Sequence, residues 1–205
     1  MKRIPLAKAF TLIEMLVVVV IIAVLAVVAL PRFLNIQTDG RIALFDAAQS
    51  QFQSAITFAH SKWLVSGGGN AEMNDMPGFG EDADGNAQLD INDVGYPLGV
   101  DKGNPMGQPY NIGQGDQGCV SIWNAIMTTD LTATTNPSQS NNFDFVTRRQ
   151  NHSFVAKDGT PQNKLALCYY IYTGVDFDSD PGNAGYVFWY NSRTGEVTQQ
   201  DPNNP

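Results

Sequence analysis

The rhythm of apolar and polar positions changes several times along the chain. From Phe10 to Leu30 only Thr11 and Glu14 interrupt an apolar run of 21 residues. As a helix this run is about 31 Å long, close to the roughly 30 Å hydrocarbon core of a bilayer. The β-branched series Val17 to Ile22 would favour a strand in water. In lipid an open strand leaves its backbone groups unpaired, so the run is predicted to be helical. From Phe45 the pattern becomes that of an amphipathic helix: Phe45, Ala48, Phe52, Ala55, Ile56, Ala59 and Trp63 recur at steps of three and four, with Asp46, Gln49, Gln53 and Lys62 between them. Gly40 weakens the middle of this helix, and SGGG at 66–69 ends it. A helix with one apolar stripe must lay that stripe on something folded.

Asn70 to Asn111 reads as a long, polar, glycine-rich loop region with little core of its own. Beyond it, Val120, Trp123, Ile126, Met127 and Leu131 fit a short amphipathic helix opening at Cys119, and Thr132 to Asn142 reads as a Ser/Thr/Asn loop. Residues 164–174 and 184–200 read as strands rich in Tyr, Val, Phe and Ile, the second turning at NSRTG into a hairpin. The expected fold is α+β: a long N-terminal helix, half of it membrane-spanning, packed on a small antiparallel sheet in a loop-rich head.

Charge gives the chain a direction. Lys2, Arg3 and Lys8 precede the apolar run, which predicts a cytoplasmic N-terminus and a body on the far side of the membrane. Glu14 does not forbid insertion. The 15 Leu, Ile, Val and Phe residues of the run outweigh one acid at about −0.3 to −0.6 against about +2.5 to +3.5 kcal/mol. The whole chain has 12 Lys+Arg against 20 Asp+Glu, a formal charge of −8. An acidic body disfavours nucleic acid, whose phosphates require Lys or Arg to release their counterions. Two cysteines, Cys119 and Cys168, are too few for a zinc site and form no CxxC pair. In an exported body they are expected to form one disulfide rather than two free thiols.

Candidate chemistry is sparse. EDADGNAQLDIND partly fits a calcium loop with Gly85 at the turn and Asp82 and Asp84 as ligands, but Gly80 and Ile91 fall where acids are needed. DFDSDPGN offers Asp176, Asp178 and Asp180 as a second possible Ca²⁺ cluster, and solvated turns are the plainer reading of both. His60 and His152 read as surface or edge histidines, and TRRQNH at 147–152 as a solvated turn or a contact to an acidic neighbour. No HExxH, GxSxG or phosphate-binding glycine loop is present, so no catalytic residue is assigned and the chain is not expected to be an enzyme or to need a cofactor.

KAFTLIEMLVVVVIIAVLAVVALPRF, Lys8 to Phe33, resembles the class III leader and first helix of type IV pilins. Ala29 to Gly68, with its PRFLNIQTDGR wording, is similar to the MSHA (mannose-sensitive haemagglutinin) subgroup. The resemblance implies a pilin-like ladle and a prepilin peptidase that cuts between Ala9 and Phe10 and methylates the new Phe10 amine. Ala9 stands where the family usually has glycine. It also implies that Glu14 neutralises the Phe10 amine of a neighbouring subunit and so sets the register, and that Pro31 kinks the helix. The expected organisation is a leader at 1–9, a transmembrane and fibre-core helix at 10–30, an amphipathic second half at 31–66 and a globular head at 67–205. The implied partners are further copies of the chain in a helical homopolymer, the prepilin peptidase, a pilus assembly platform and the inner membrane before assembly. The assembled fibre would be extracellular and mediate attachment. Alternatives are a pseudopilin of a type II secretion system and a membrane-tethered binding protein or enzyme; an ordinary signal peptide fits less well, because its apolar core is shorter.

Overall fold

A computed structural model describes residues 10–204 apart from 70, 81–87, 101, 103–109 and 157, and of residues 30–35 the backbone alone. Ala9, Asp82, Asp84 and Gly85 therefore lie outside the described residues. The chain divides into two compact units, 1–41 and 42–205. Helix α1, Leu12–Val65, begins in the first and ends in the second. In the first unit the residues from Leu12 to Ala29 are all exposed, and the backbone is helical through Pro31 and Gly40.

In the second unit α1 buries the predicted stripe: Phe45, Ala48, Phe52, Ile56, Ala59 and Trp63 are each at most 2% exposed, and Ala55 is partly buried against them. The helix stops where the glycines begin. Gly67 adopts φ +85, its N–H donates to the Leu64 carbonyl and that of Gly68 to the Trp63 carbonyl, which together make a Schellman motif. Gly68 is needed for a different reason. A Cβ there would meet the Trp63 indole at 2.2 Å.

Two sheets receive the stripe. Strands β1 (Met73–Met76), β2 (Leu89–Ile91) and β3 (Pro97–Val100) form an antiparallel three-stranded sheet. Strands β4 (Ala133–Thr134), β5 (Phe145–Val155), β6 (Pro161–Tyr172), β7 (Val187–Asn191) and β8 (Val197–Thr198) form a five-stranded sheet in that order, with β4 parallel to β5 and every other pair antiparallel. Helix α2, Gln117–Ile126, precedes β4. The architecture is the expected α+β arrangement of a long helix and antiparallel strands.

Phe52 is the hub of the core. Its ring centroid lies 5.0 Å from that of Tyr170, 5.5 Å from Phe188, 5.8 Å from Tyr190 and 5.9 Å from Trp123, so one α1 side chain touches α2, β6 and β7. Aromatic pairs at such separations add to the area term. The buried phenols are satisfied: Tyr170 donates to the Cys119 carbonyl and Tyr190 to the Pro97 carbonyl, each at 2.8 Å. The opposite face of the large sheet is also covered. Leu167, Tyr169, Ile171 and Trp189 form a second cluster, against which Phe177, Ala184 and Val187 pack.

Three segments differ from expectation, the first being 132–142, which is not a plain loop but holds β4 and a 3-10 turn at Pro137–Gln139. The 70–111 region is not a bare loop, because it holds β1 to β3 and contributes Met76, Leu89 and Ile91 to the main core. Its strands are three or four residues long with shifted register, too short to show a period-2 pattern. TRRQNH is not a turn either, since 147–152 lies inside β5. Strand β6 imposes the strand through pairings such as Arg148 with Tyr169 and Arg149 with Cys168.

Asn92 ties the small sheet to the large one. Fully buried, it accepts from the Val94 and Tyr96 N–H groups and donates to the Ser192 carbonyl. Asn92→Ala is expected to destabilise by about 2 kcal/mol, because the buried Ser192 carbonyl and the partly buried Val94 and Tyr96 N–H groups lose their hydrogen bonds. Thermal unfolding of the detergent-solubilised chain measures it.

Candidate functional site

The helix start is built around Thr11 and Glu14. Thr11 is the N-cap of α1 and Glu14 its third residue. The Thr11 N–H and Thr11 Oγ1 both donate to Glu14 Oε2 at 2.8 Å, and the Glu14 N–H donates back to Thr11 Oγ1 at 3.3 Å. This is a reciprocal capping box, which satisfies donors that a helix N-terminus otherwise leaves unpaired. A carboxylate in the first turn also lies at the positive end of the helix dipole. Glu14 is therefore held in one place by its own chain. Phe10, immediately before the cap, is 75% exposed. The T-x-x-E spacing that specifies the box was present in the sequence, and Thr11 is the site residue that a reading centred on the lone acid passed over.

Next to the cap, Leu12–Ala29 is long and apolar enough to cross a membrane and makes no buried contact. The apolar surface here is available to lipid or to other protein.

The remaining candidates lie in the second unit. Cys119 and Cys168 are joined in a disulfide with Cα atoms 5.7 Å apart, linking the first turn of α2 to the middle of β6. Asp178 accepts from the Asp180 N–H, Asp180 from the Gly182 N–H, and the Asp176 carbonyl from the Gly185 N–H. These contacts close a turn, and among the described residues no three His, Cys, Asp or Glu side chains converge as a metal site. His60 stacks on Tyr96 at 4.7 Å with its Nδ1 3.2 Å from the Gly95 carbonyl, and His152 Nδ1 lies 2.8 Å from Asn203 Oδ1. Both rings are structural.

The basic stretch divides by strand face. Arg148 is exposed and donates from Nε to the Thr135 carbonyl, whereas Arg149 turns inward to the Ile112 carbonyl at 2.6 Å and lies 4.0 Å from Asp116 Oδ1. Within the acidic region Asp90 is 2% exposed and accepts from the Asp75 and Lys102 N–H groups. Burial pulls the Lys102 amine down to about 8, against the opposing pull of Glu72 and Asp90.

Residues 5–30 match the family model for the prokaryotic N-terminal methylation motif. No curated protein and no solved structure matches the chain. The match covers the capping box and the apolar helix together, so the chain carries a prepilin-type class III leader on an apolar N-terminal helix, the N-terminal arrangement of pilin-like and pseudopilin-like structural subunits.

Proposed function

We propose that the chain is a structural subunit of an MSHA-like type IV pilus. The observation that carries this reading is the methylation motif at 5–30, coincident with a capped helix whose apolar residues from Leu12 to Ala29 are all exposed. In this reading residues 1–9 are removed between Ala9 and Phe10, Phe10 is N-methylated, and 10–30 leaves the inner membrane for the centre of a helical fibre. Lipid is as apolar as the fibre centre, so helix–helix packing rather than removal from water holds the segment there. Glu14, already positioned by Thr11, meets the cationic amine of a neighbour's Phe10 and selects one axial stagger, because a desolvated amine without its counter-charge costs several kcal/mol. Pro31 kinks the helix between its two halves, and the head, 67–205, faces outward and mediates attachment.

Intact-mass analysis of the purified protein tests it. The expected mass corresponds to loss of nine residues and gain of one methyl group. A protein retaining Met1 would instead be a membrane-tethered binding protein or enzyme. Shearing of cells separates the pilus from the pseudopilus of a type II secretion system: a pilin appears in the sheared fraction and a pseudopilin does not.

A further inference from the structure

Cys119 and Trp123 stand one helical turn apart on α2, and that spacing makes their side chains neighbours on one face of the helix. Both are buried, at 0% and 1% exposure, and both belong to the main core. Strand β6 closes on the same point from the other side. Cys168 and Tyr170 alternate with Tyr169 along it, so they share the face turned to that core. The Tyr170 ring centroid lies 5.5 Å from that of Trp123, and its hydroxyl donates to the Cys119 carbonyl at 2.8 Å. The indole therefore fills the corner that the Cys119–Cys168 bridge closes.

The other two tryptophans are placed differently. Trp63 stands about three turns of α1 beyond Phe52, the residue that touches Trp123. Trp189 points to the opposite side of the large sheet, where it packs on Tyr169.

An excited indole is a strong one-electron reductant, and a disulfide accepts an electron into its S–S antibonding orbital. The remaining rings against Trp123 are Phe52 and Phe145, which are poor electron acceptors. Two features of the site favour the transfer. The Trp123 Nε1–H donates to the Leu131 carbonyl at 3.0 Å, which stabilises positive charge appearing on the ring. Burial in a core of low dielectric strengthens the attraction between an indole cation and a sulfur anion. We propose that Trp123 is the internal electron donor through which ultraviolet light opens the Cys119–Cys168 bridge, a photoreactive site inside the head. One electron leaves the indole and enters the bridge, and the S–S bond breaks to one thiolate and one thiyl radical. The indole radical cation loses its Nε1 proton to water, and the thiolate takes one up. Light supplies the energy, and the indole is the only reductant required. The site is made by core packing alone and stands whether or not the chain polymerises.

Irradiation of the detergent-solubilised full chain at the red edge of indole absorption tests it, with thiols then labelled by maleimide under denaturing conditions. Both cysteines are bonded at the start, so every label reports an opened bridge. Thiols should accumulate with dose in the unaltered chain and equally in Trp63→Phe and Trp189→Phe. In Trp123→Phe they should stay at the level of a sample kept in the dark. Thiols forming as fast in Trp123→Phe as in the unaltered chain overturn the proposal, as does an unaltered chain that yields none. Removing a buried indole can prevent folding, so the Trp63→Phe/Trp189→Phe chain supplies a second measurement in which Trp123 is the sole emitter. Its fluorescence lifetime should lengthen when a reductant opens the bridge in the folded chain, because the electron acceptor is gone. A lifetime unchanged by reductant also overturns the proposal.

Discussion

Replacing Glu14 by alanine should leave leader removal unchanged and abolish fibres in the sheared fraction. The variant loses two things at once: the acceptor of the capping box and the negative charge opposite a neighbour's amine. The cap is worth about 1 kcal/mol. The missing counter-charge costs several kcal/mol in a desolvated setting, so it dominates. Two further variants separate the effects. Glu14→Gln keeps an acceptor for Thr11 but removes the charge, and should also fail to assemble. Thr11→Val removes the hydroxyl contacts but keeps the charge, and should assemble at reduced yield. Fibres from Glu14→Gln would show that capping, and not charge, is what assembly requires; normal fibres from Glu14→Ala would end the register role altogether.

Removal of the disulfide is the other large effect expected. The Cys119→Ala/Cys168→Ala chain should lose about 4 kcal/mol in the chain-entropy description of a loop of this size, given a sequence separation of 49. For a domain of this length the midpoint of thermal unfolding should fall by roughly 10 °C. The bridge holds α2 against the sheet at the point where Trp123 packs on Phe52 and Tyr170. Near-UV circular dichroism should therefore report the loss of aromatic packing before the α1 helix signal changes. Adding a reductant to the unaltered protein should reproduce the shift. An unchanged midpoint would mean that the crosslink does not restrain the unfolded chain.

How much of this could be read from the residues depends on whether the determining interaction is local. The apolar run and the stripe from Phe45 to Trp63 are local patterns, and α1 follows both, down to its glycine stop. The strand order is not local. Arg-Arg-Gln-Asn-His carries no strand propensity, and it becomes the middle of β5 only because β6 offers it a register. The small sheet is hidden for a similar reason: the pair Met73 and Met76 and the pair Leu89 and Ile91 lie apart in a polar sequence, and only the fold brings them together. At the helix start the information was present but read for one purpose. Glu14 looks like a charge in a membrane, and the same residue, three positions after Thr11, closes a capping box.

The segment from Gly174 to Tyr186, which caps the second cluster, divides its residues into two kinds. Phe177 and Ala184 pack against the cluster on the outer face of the sheet, so truncating Phe177 would thin its cover. Asp178, Asp180 and Gly182 between them make the hydrogen bonds of the turn. New chemistry can therefore be written onto this patch of the head, by drift or by design, at little cost to folding as long as Phe177 and Ala184 stay in place.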